Sequence, residues 1–540
     1  MFNLTYSKKR RLLLILVFGL IAVLFARGLQ LHLAKKITDR IKFHAIPVAI
    51  SELYHHHPHD YTGIIAVERP FQSLADTETL IKNAILQDVT ANHENYYWVA
   101  DDKGFNDYVI ASFYLFGPHL KSMYYMWFVI LLTSVIFFLS SFHKQTGALG
   151  FLCLILLSMH VAVSTLALAS VYSLDSIAWR DALSSVSLYE TRFLDVLALI
   201  SVFHMLFFVS GKKSFLWLRD GVPLLGQIGI FIFLYHSRSS LGWELMAVFI
   251  YCLCNLLSKK RKSTFTNNSK SPIIVATALC SGLFLLNGYK HMTYNPLYFS
   301  EMGHRTFWHN ALMGLASDST LANEYHVDFG DFNVAQSVIN FSKKSNLCTP
   351  DIMDQEPQKL LNSLGNWGTV NWINYENCAK KLFFEIATKN KLAVIRLYAI
   401  TKPLSSLTVV RMAMRKTSDP ILERIRSKYG MKWSPFNMIN VGFLLVIFSL
   451  SFEALHRMRK RYLQMTIIVL IASFIPSVAF YPDILTEGGL ITILPMTLYV
   501  GFSFVIYGMH RTARYTQYDR LLRKNECLDN DKQDDSSCSV

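Results

Sequence analysis

Several common chemistries are missing from this chain, and their absence narrows its class before any residue is singled out. Only 17% of the 540 residues are charged and only eight are cysteine, which fits neither an ordinary soluble protein nor a disulfide-rich scaffold. The run Ser210–Ser214, SGKKS, has no preceding glycine at P-loop distance, so a nucleotide-phosphate cradle is excluded and with it ATP hydrolysis. His304 and His309 are five residues apart, whereas a helical zinc pair takes a four-residue step. The cluster HHHPHD at His55–Asp60 has no second ligand group at a recognised spacing and reads as a solvated turn. Arginines do not alternate with aromatics in the manner of a nucleic-acid surface, so the formal net charge of +15 needs another explanation and no nucleic-acid partner is expected. Internal repeats are absent. The one low-complexity tract is the polar tail Asn525–Val540.

What is present is apolar surface. Hydrophobic residues make up 52% of the chain and mean hydropathy is +0.28. Several segments approach bilayer-spanning length, and hydrocarbon leaves their backbone no partner but itself, so they are expected to be helices. The sequence predicts an all-α integral membrane protein of about ten transmembrane helices, at about 12–34, 123–141, 147–170, 191–210, 221–236, 241–257, 272–288, 435–454, 463–481 and 489–508. Two connections are too long to be mere linkers, 35–122 and 289–434. The expected organisation is an anchor span (1–34), a first extracytoplasmic loop with an acidic cluster (35–122), spans two to seven (123–288), a large extracytoplasmic loop domain (289–434), spans eight to ten (435–508) and a cytoplasmic tail (509–540).

Charge sets the orientation. Lys8, Lys9, Arg10 and Arg11 precede the first span and place the N-terminus in the cytoplasm. Alternation then puts Lys259–Lys262, Arg457–Arg461 and the basic residues of 511–524 on the same side, with both termini inside a multi-pass cytoplasmic (inner) membrane protein. Most of the basic excess is thereby assigned to orientation and anionic lipid heads. A cleavable signal peptide is the rival reading of the N-terminus, and it leaves the rest of this topology intact. Of the cysteines, only Cys348 and Cys378 face the oxidising side. A disulfide between them would stabilise the large loop by roughly 3 kcal/mol, and two unpaired thiols are the alternative.

On that topology the carboxylates Asp101, Asp102 and Asp107, in YWVADDKGFNDYVIASFYLFGPHL, lie outside the cell near headgroup level. There they can hold a divalent cation or accept a proton from a sugar hydroxyl, and a solvated acidic turn is the competing reading. Asp101-Asp102 in the first outer loop, followed by an amphipathic segment that ends in Leu115-Phe116-Gly117-Pro118 and runs into a span, resembles the start of the GT-C-fold glycosyltransferases. The resemblance covers about 45 residues and the general layout. It implies a GT-C-like fold, a polyprenyl-phosphate-linked sugar as donor, a glycan or lipid acceptor, and a catalytic carboxylate among Asp101, Asp102 and Asp107. It also implies Asp101 and Asp102 as the seat of a divalent cation, Mg or Mn, and direct displacement with inversion. The distance from carboxylate to turn is shorter here than in many members, which leaves the choice of aspartate open.

The second outer loop adds Asp175, Asp181 and Glu190, whose spacing selects none of them. Substrate-binding candidates elsewhere are Arg238 in HSRSSLGWE and, at the start of the long loop, His304, Arg305, Trp308 and His309 on an expected short helix. A guanidinium fork suits phosphate or carboxylate, and an indole face suits stacking. Farther on, Ala379–Trp433 mixes many basic residues with aliphatics and reads as interfacial helices on the outer leaflet. Three alternatives stand beside the transferase. An O-antigen ligase or polymerase would use the arginine-containing segments around Arg238 and Arg305, a transporter lacks the expected mid-membrane charges because Asp195, Glu244 and Glu453 fall near span ends, and a non-enzymatic scaffold needs no carboxylate at all.

Overall fold

The structure, a computed structural model, describes residues 45–56, 65–66, 77–87, 96–97, 103–145, 191–211, 217–260, 270–300, 307–328, 331–345, 372–405 and 460–480, with isolated positions between 148 and 156 and at 348. The described chain is helical apart from one antiparallel pair of two-residue strands, β1 (Ile65–Ala66) and β2 (Tyr96–Tyr97). The first loop contributes three helices, α1 (Ala45–Tyr54), α2 (Thr77–Leu86) and α3 (Lys103–Phe116). A bundle follows of α4 (Leu120–Phe142), α5 (Thr191–Ser210), α6 (Val222–Ser237), α7 (Gly242–Lys260) and α8 (Lys270–Thr293). The long loop supplies α9 (Pro296–Ser300), α10 (Phe307–Leu315), α11 (Ser319–Tyr325), α12 (Asp331–Lys344), α13 (Trp372–Lys389) and α14 (Lys391–Arg396), and α15 (Lys460–Ala479) returns to the bundle.

Helices α4 to α8 and α15 coincide within a few residues with six of the ten expected spans. The segments 12–34, 435–454, 489–508 and most of 147–170 lie outside the described residues. Among the described helices α4 and α8 are each long and apolar enough to cross a bilayer, and shorter apolar stretches run through Val196–Ser210, Gly242–Leu257 and Gln464–Ser473.

The break between α3 and α4 follows from three residues. Gly117 sits at φ +85°, a left-handed conformation open to glycine, and its N–H donates to the Phe113 carbonyl at 2.9 Å to close α3. Pro118 cannot continue the ladder. The Ser122 hydroxyl then donates to the Gly117 carbonyl at 2.6 Å and ties the turn to the start of α4. The Tyr108 hydroxyl, fully buried, donates to the Met123 carbonyl, so α3 folds back against the helix it precedes.

The bundle core is largely apolar, built on residues such as Trp127, Leu197 and Phe231, with a few buried polar side chains set into it, and its outer face is apolar as well. Gln227 on α6 is completely buried, donating from Nε2 to the Ser134 carbonyl of α4 at 2.6 Å and accepting from the Ser201 hydroxyl of α5 at 2.7 Å. His204 is equally buried, edge-on to the rings of Phe138 and Phe142. Outward, Phe284 and Leu285 of α8 are 77% and 71% exposed, and Leu253, Leu257 and Ile471 share that exterior.

The long loop makes a second core around Leu312, Val338, Tyr375 and Ile386. Cys348 and Cys378 are joined by a disulfide across a sequence separation of 30, their Cα atoms 5.5 Å apart. The Asp318 carboxylate caps α11 by accepting from the Thr320 and Leu321 amides. The start of α10 is fixed from another helix: the Glu376 carboxylate accepts from the amides of Trp308 at 2.7 Å and His309 at 3.2 Å.

Candidate functional site

The charged centre of the described structure is Asp107, in the second turn of α3. Helix spacing brings Lys103 onto the same side, its ammonium 3.5 Å from Asp107 Oδ1. Two bundle helices complete the arrangement. The ring of His236, in the last turn of α6, lies with Nε2 2.9 Å from Asp107 Oδ2, and the Tyr289 hydroxyl, near the end of α8, donates to the same oxygen at 3.0 Å. The His236 and Tyr289 rings meet edge-on at 5.6 Å, and the Lys103 ammonium sits 5.9 Å from the Tyr289 ring centroid.

Backbone contact holds α3 in this place. The Ser237 hydroxyl donates to the Gly104 carbonyl at 3.0 Å. A Cβ on Gly104 would stand 2.3 Å from the His236 carbonyl oxygen, so only glycine lets the two helices approach this closely. On the other flank α1 packs along α3 and brings Glu52 into the field of Lys103 and Asp107.

The electrostatics separate the two carboxyls. Burial alone would raise Asp107. The hydrogen bond from His236, the charges of Lys103 and His236 and the Tyr289 hydroxyl reverse that, and hold Asp107 below the usual carboxylate range. Lys103 is 7% exposed, and burial works against its charge, yet Asp107, with Tyr289 and Glu52 behind it, keeps it above the ordinary lysine value. Glu52 is raised, first by burial and then by Asp107, with Lys103 opposing. One carboxyl is thus held ionised and its neighbour is pushed towards the acid form, the pattern of an acid–base site.

Among the described residues, two buried polar atoms in this cluster have no hydrogen-bond partner: His236 Nδ1 and Glu52 Oε2. With Asp107 ionised, His236 Nε2 is the nitrogen that carries the proton, because only N–H⋯O⁻ satisfies the carboxylate. In the neutral ring Nδ1 then holds the lone pair.

The donor set around Asp107 does not fit a metal. Its oxygens face an imidazole N–H, a phenol O–H and an ammonium, and a divalent cation among these would meet like charge. Among the described residues no group of three His, Cys, Asp or Glu gathers that could hold an ion.

Of the expected site residues, the structure brings Asp107 and Arg238 to this end of the bundle. Arg238, partly exposed, is the residue that ends α6, directly after His236 and Ser237. Asp101, Asp102, His304 and Arg305 lie outside the described residues. Trp308 and His309 belong to another neighbourhood, since α10 packs chiefly on α12 and α13. Trp308 lies against Phe383 and Phe384 at 5.5 and 5.3 Å, with the Lys380 ammonium 5.7 Å from its ring centroid. His309 is buried, its Nδ1 2.6 Å from the Tyr375 hydroxyl. The expected helix over His304–His309 begins at Phe307, because Glu376 satisfies the first free amides there.

Sequence reasoning passed over His236, Tyr289, Lys103 and Glu52. Lys103 was findable from its four-residue step to Asp107. His236 stands in the same HSRSS stretch as Arg238 and could have been found by asking which ionisable residues end a span. Nothing in the sequence marks Tyr289 or Glu52.

Comparison with known proteins adds no relative. No family model, curated protein or solved structure matches the chain.

Proposed function

We propose that the chain is a multi-pass glycosyltransferase of the cytoplasmic membrane, moving a sugar from a polyprenyl-phosphate donor to a lipid-linked or cell-envelope glycan acceptor at the outer face. The observation that carries this reading is the position of Asp107: a first-loop carboxylate, nine residues before the Phe116-Gly117 turn, held ionised against the ends of two apolar helices by His236 and Tyr289. The apolar exterior of the bundle, around a core that is itself largely apolar, supports a membrane setting, because a water-exposed surface of that kind is an aggregation hazard. The expected orientation gives the ends of α6 and α8 and the start of α4 to the outer side. The three meet α3, and so the cluster belongs to the compartment where carrier-linked sugars are used.

The chemistry assigned to the site is a proton transfer coupled to displacement. The acceptor hydroxyl attacks the anomeric carbon while the bond from that carbon to the carrier phosphate breaks, and the phosphate leaves with the bonding pair. The hydroxyl proton goes to His236 Nδ1. Asp107 holds the ring in the required tautomer and stabilises the imidazolium that forms, as a carboxylate does behind a catalytic histidine. Asp107 by itself is a weak base, since its neighbours favour its ionised form. Lys103 and Arg238 offer positive charge for the departing phosphate. Asp101 and Asp102 remain further proposed carboxylates, with a divalent cation as their proposed partner. No step here passes through that ion.

Single replacements Asp101→Asn, Asp102→Asn, Asp107→Asn and His236→Asn, each checked for membrane insertion, are to be compared by mass analysis of the cell's surface glycans. Loss of a sugar with Asp107→Asn and His236→Asn is expected, with transfer down by about 100-fold or more. Unchanged glycans with both would overturn the assignment. An O-antigen ligase or polymerase is the second reading, favoured by Arg238 standing two residues from His236, and it predicts that Arg238→Ala alone removes the product while Asp107→Asn does not.

A further inference from the structure

The helical run 391–405, comprising α14, the wide turn Leu397–Thr401 and the four residues after it, is built inside out. The face turned into the loop domain holds Leu397 and Tyr398 together with the ammonium of Lys402, which is wholly buried with its Nζ 3.9 Å from the Tyr398 ring centroid. Its open face carries Leu392, Ile395, Ile400 and Leu404, exposed by 84%, 63%, 53% and 58%. Their spacing, together with Ala399 between them, places them along one side of the run. In water this arrangement wastes aliphatic burial and desolvates a cation.

Two further observations say what covers it. The run is tied to the end of a bundle helix: the Tyr398 hydroxyl and the Lys402 ammonium each reach the Ala479 carbonyl, the last residue of α15, at 3.5 Å, and Phe307 meets Phe480 edge-on at 5.5 Å. Its second half is therefore anchored at the end of α15, about two turns beyond the exposed Ile467 and Ile471. The charge balance is also one-sided. Residues 372–405 contain six Lys or Arg and two Glu. Both glutamates are engaged within the domain, Glu376 on the α10 amides and Glu385 on Lys389 at 2.6 Å. Lys391 and Arg396 flank the aliphatic face.

We infer that residues 391–405 lie in the plane of the outer leaflet, with Leu392, Ile395, Ile400 and Leu404 in the acyl boundary and Lys391 and Arg396 at anionic phospholipid headgroups. The inference rests on the membrane placement of the bundle proposed above. It goes further by docking the disulfide-linked loop domain on the bilayer through one defined face. Aliphatic burial supplies the attraction, and the basic flank makes it depend on lipid charge.

The test uses the full chain in nanodiscs of phosphatidylcholine and phosphatidylglycerol whose acyl chains carry bromine near the headgroup. An environment-sensitive fluorescent amino acid is placed, one site at a time, at Ile395, Ile400, Phe284, Ile471 and, as the water-exposed reference, Asn340. Quenching at 395 and 400 several-fold above that at 340, falling when phosphatidylglycerol is omitted, is the expected result. Quenching at 284 and 471 with none at 395 and 400 overturns the docking while leaving the membrane bundle standing. Absence of quenching at all of them overturns both. A blue-shifted emission at 395 without bromine quenching overturns the inference in favour of contact with a second copy of the chain. Ile395→Lys with Ile400→Lys is expected to abolish quenching of the same fluorophore at Leu392, and persistence of the Cys348–Cys378 bond in that variant shows that the loop core remains folded.

Discussion

The bundle and the loop domain both bury apolar cores and differ in what they turn outward. In the bundle, aliphatics and Phe284 face out as well as in, with the hydrogen-bonded Gln227 and Ser201 set into the interior. In the loop domain, apolar side chains and a disulfide face inward and most charge faces out, except along 391–405, where the bundle's habit reappears. A helix that is apolar on its outer as well as its inner face is stable where something apolar covers it, which the proposed membrane placement of the bundle would supply. The two regions also treat buried charge differently. At Asp107 a carboxylate is surrounded by donors and stays ionised. At Lys402 one amine lies among aromatic and backbone groups, and burial pulls it down to about 7.

The sharpest way to break the first region is to separate its helices without touching an ionisable group. Gly104→Ala puts a methyl group 2.3 Å from the His236 carbonyl oxygen, which is backbone and cannot step aside. The proposed sugar transfer is expected to fall by about 100-fold or more, matching Asp107→Asn, because a misplaced base in the proposed mechanism loses its reach. Insertion should be retained, with the fold less stable by about 1–3 kcal/mol because overpacking at a backbone contact is destabilising. Retained transfer would show that α3 and α6 need not touch for function.

For the loop domain the largest effect should come from its cross-link. Cys348→Ser is expected to cost the domain roughly 3 kcal/mol, read as earlier proteolysis or melting of residues 307–405 with the bundle unchanged. Equal loss in both regions would mean that they unfold as one unit.

Next in size is the pH response of Lys402. Its folded value of about 7 lies below the ordinary 10.5, so the unfolded chain binds the extra proton between those values. Stability of the loop domain should therefore rise as pH increases from about 7 towards 10. Lys402→Met should flatten that rise and stabilise the domain near neutral pH by roughly 2 kcal/mol, since a buried cation gives way to an apolar chain of similar length. Asp107 gives the same direction of pH dependence, as a gain in stability instead of a penalty and at lower pH. Its value is depressed below the ordinary 3.8, so its contribution is complete above that pH and is lost only as pH falls through the lower folded value.

The smallest effect is expected in the bundle interior. Gln227→Leu removes two hydrogen bonds and leaves the Ser134 carbonyl and the Ser201 hydroxyl to find partners within helix backbones, a loss of about 1 kcal/mol in detergent melts. A much larger loss would mark Gln227 as a keystone of the bundle.

Helix positions were legible from sequence where hydropathy had the length to speak. The turn between α3 and α4 was legible too, because Gly117 and Pro118 are local signals. At the candidate site only Asp107 and Arg238 could be named. The four-residue step of Lys103 was readable and missed. His309 and Trp308 were chosen for their chemistry, but Glu376 and Tyr375 hold them in the loop core, and those two partners stand 66 to 68 residues away.

By itself the sequence determined the helical class, the order of the apolar segments and the sign of each flank, since these depend on residues within a turn or two of one another. Tertiary structure alone decided which carboxylate is held ionised: His236 is 129 residues from Asp107 in the chain and Tyr289 is 182. Only packing can bring such distant donors to one oxygen, and a carboxylate's state depends on its donors rather than on its neighbours in sequence.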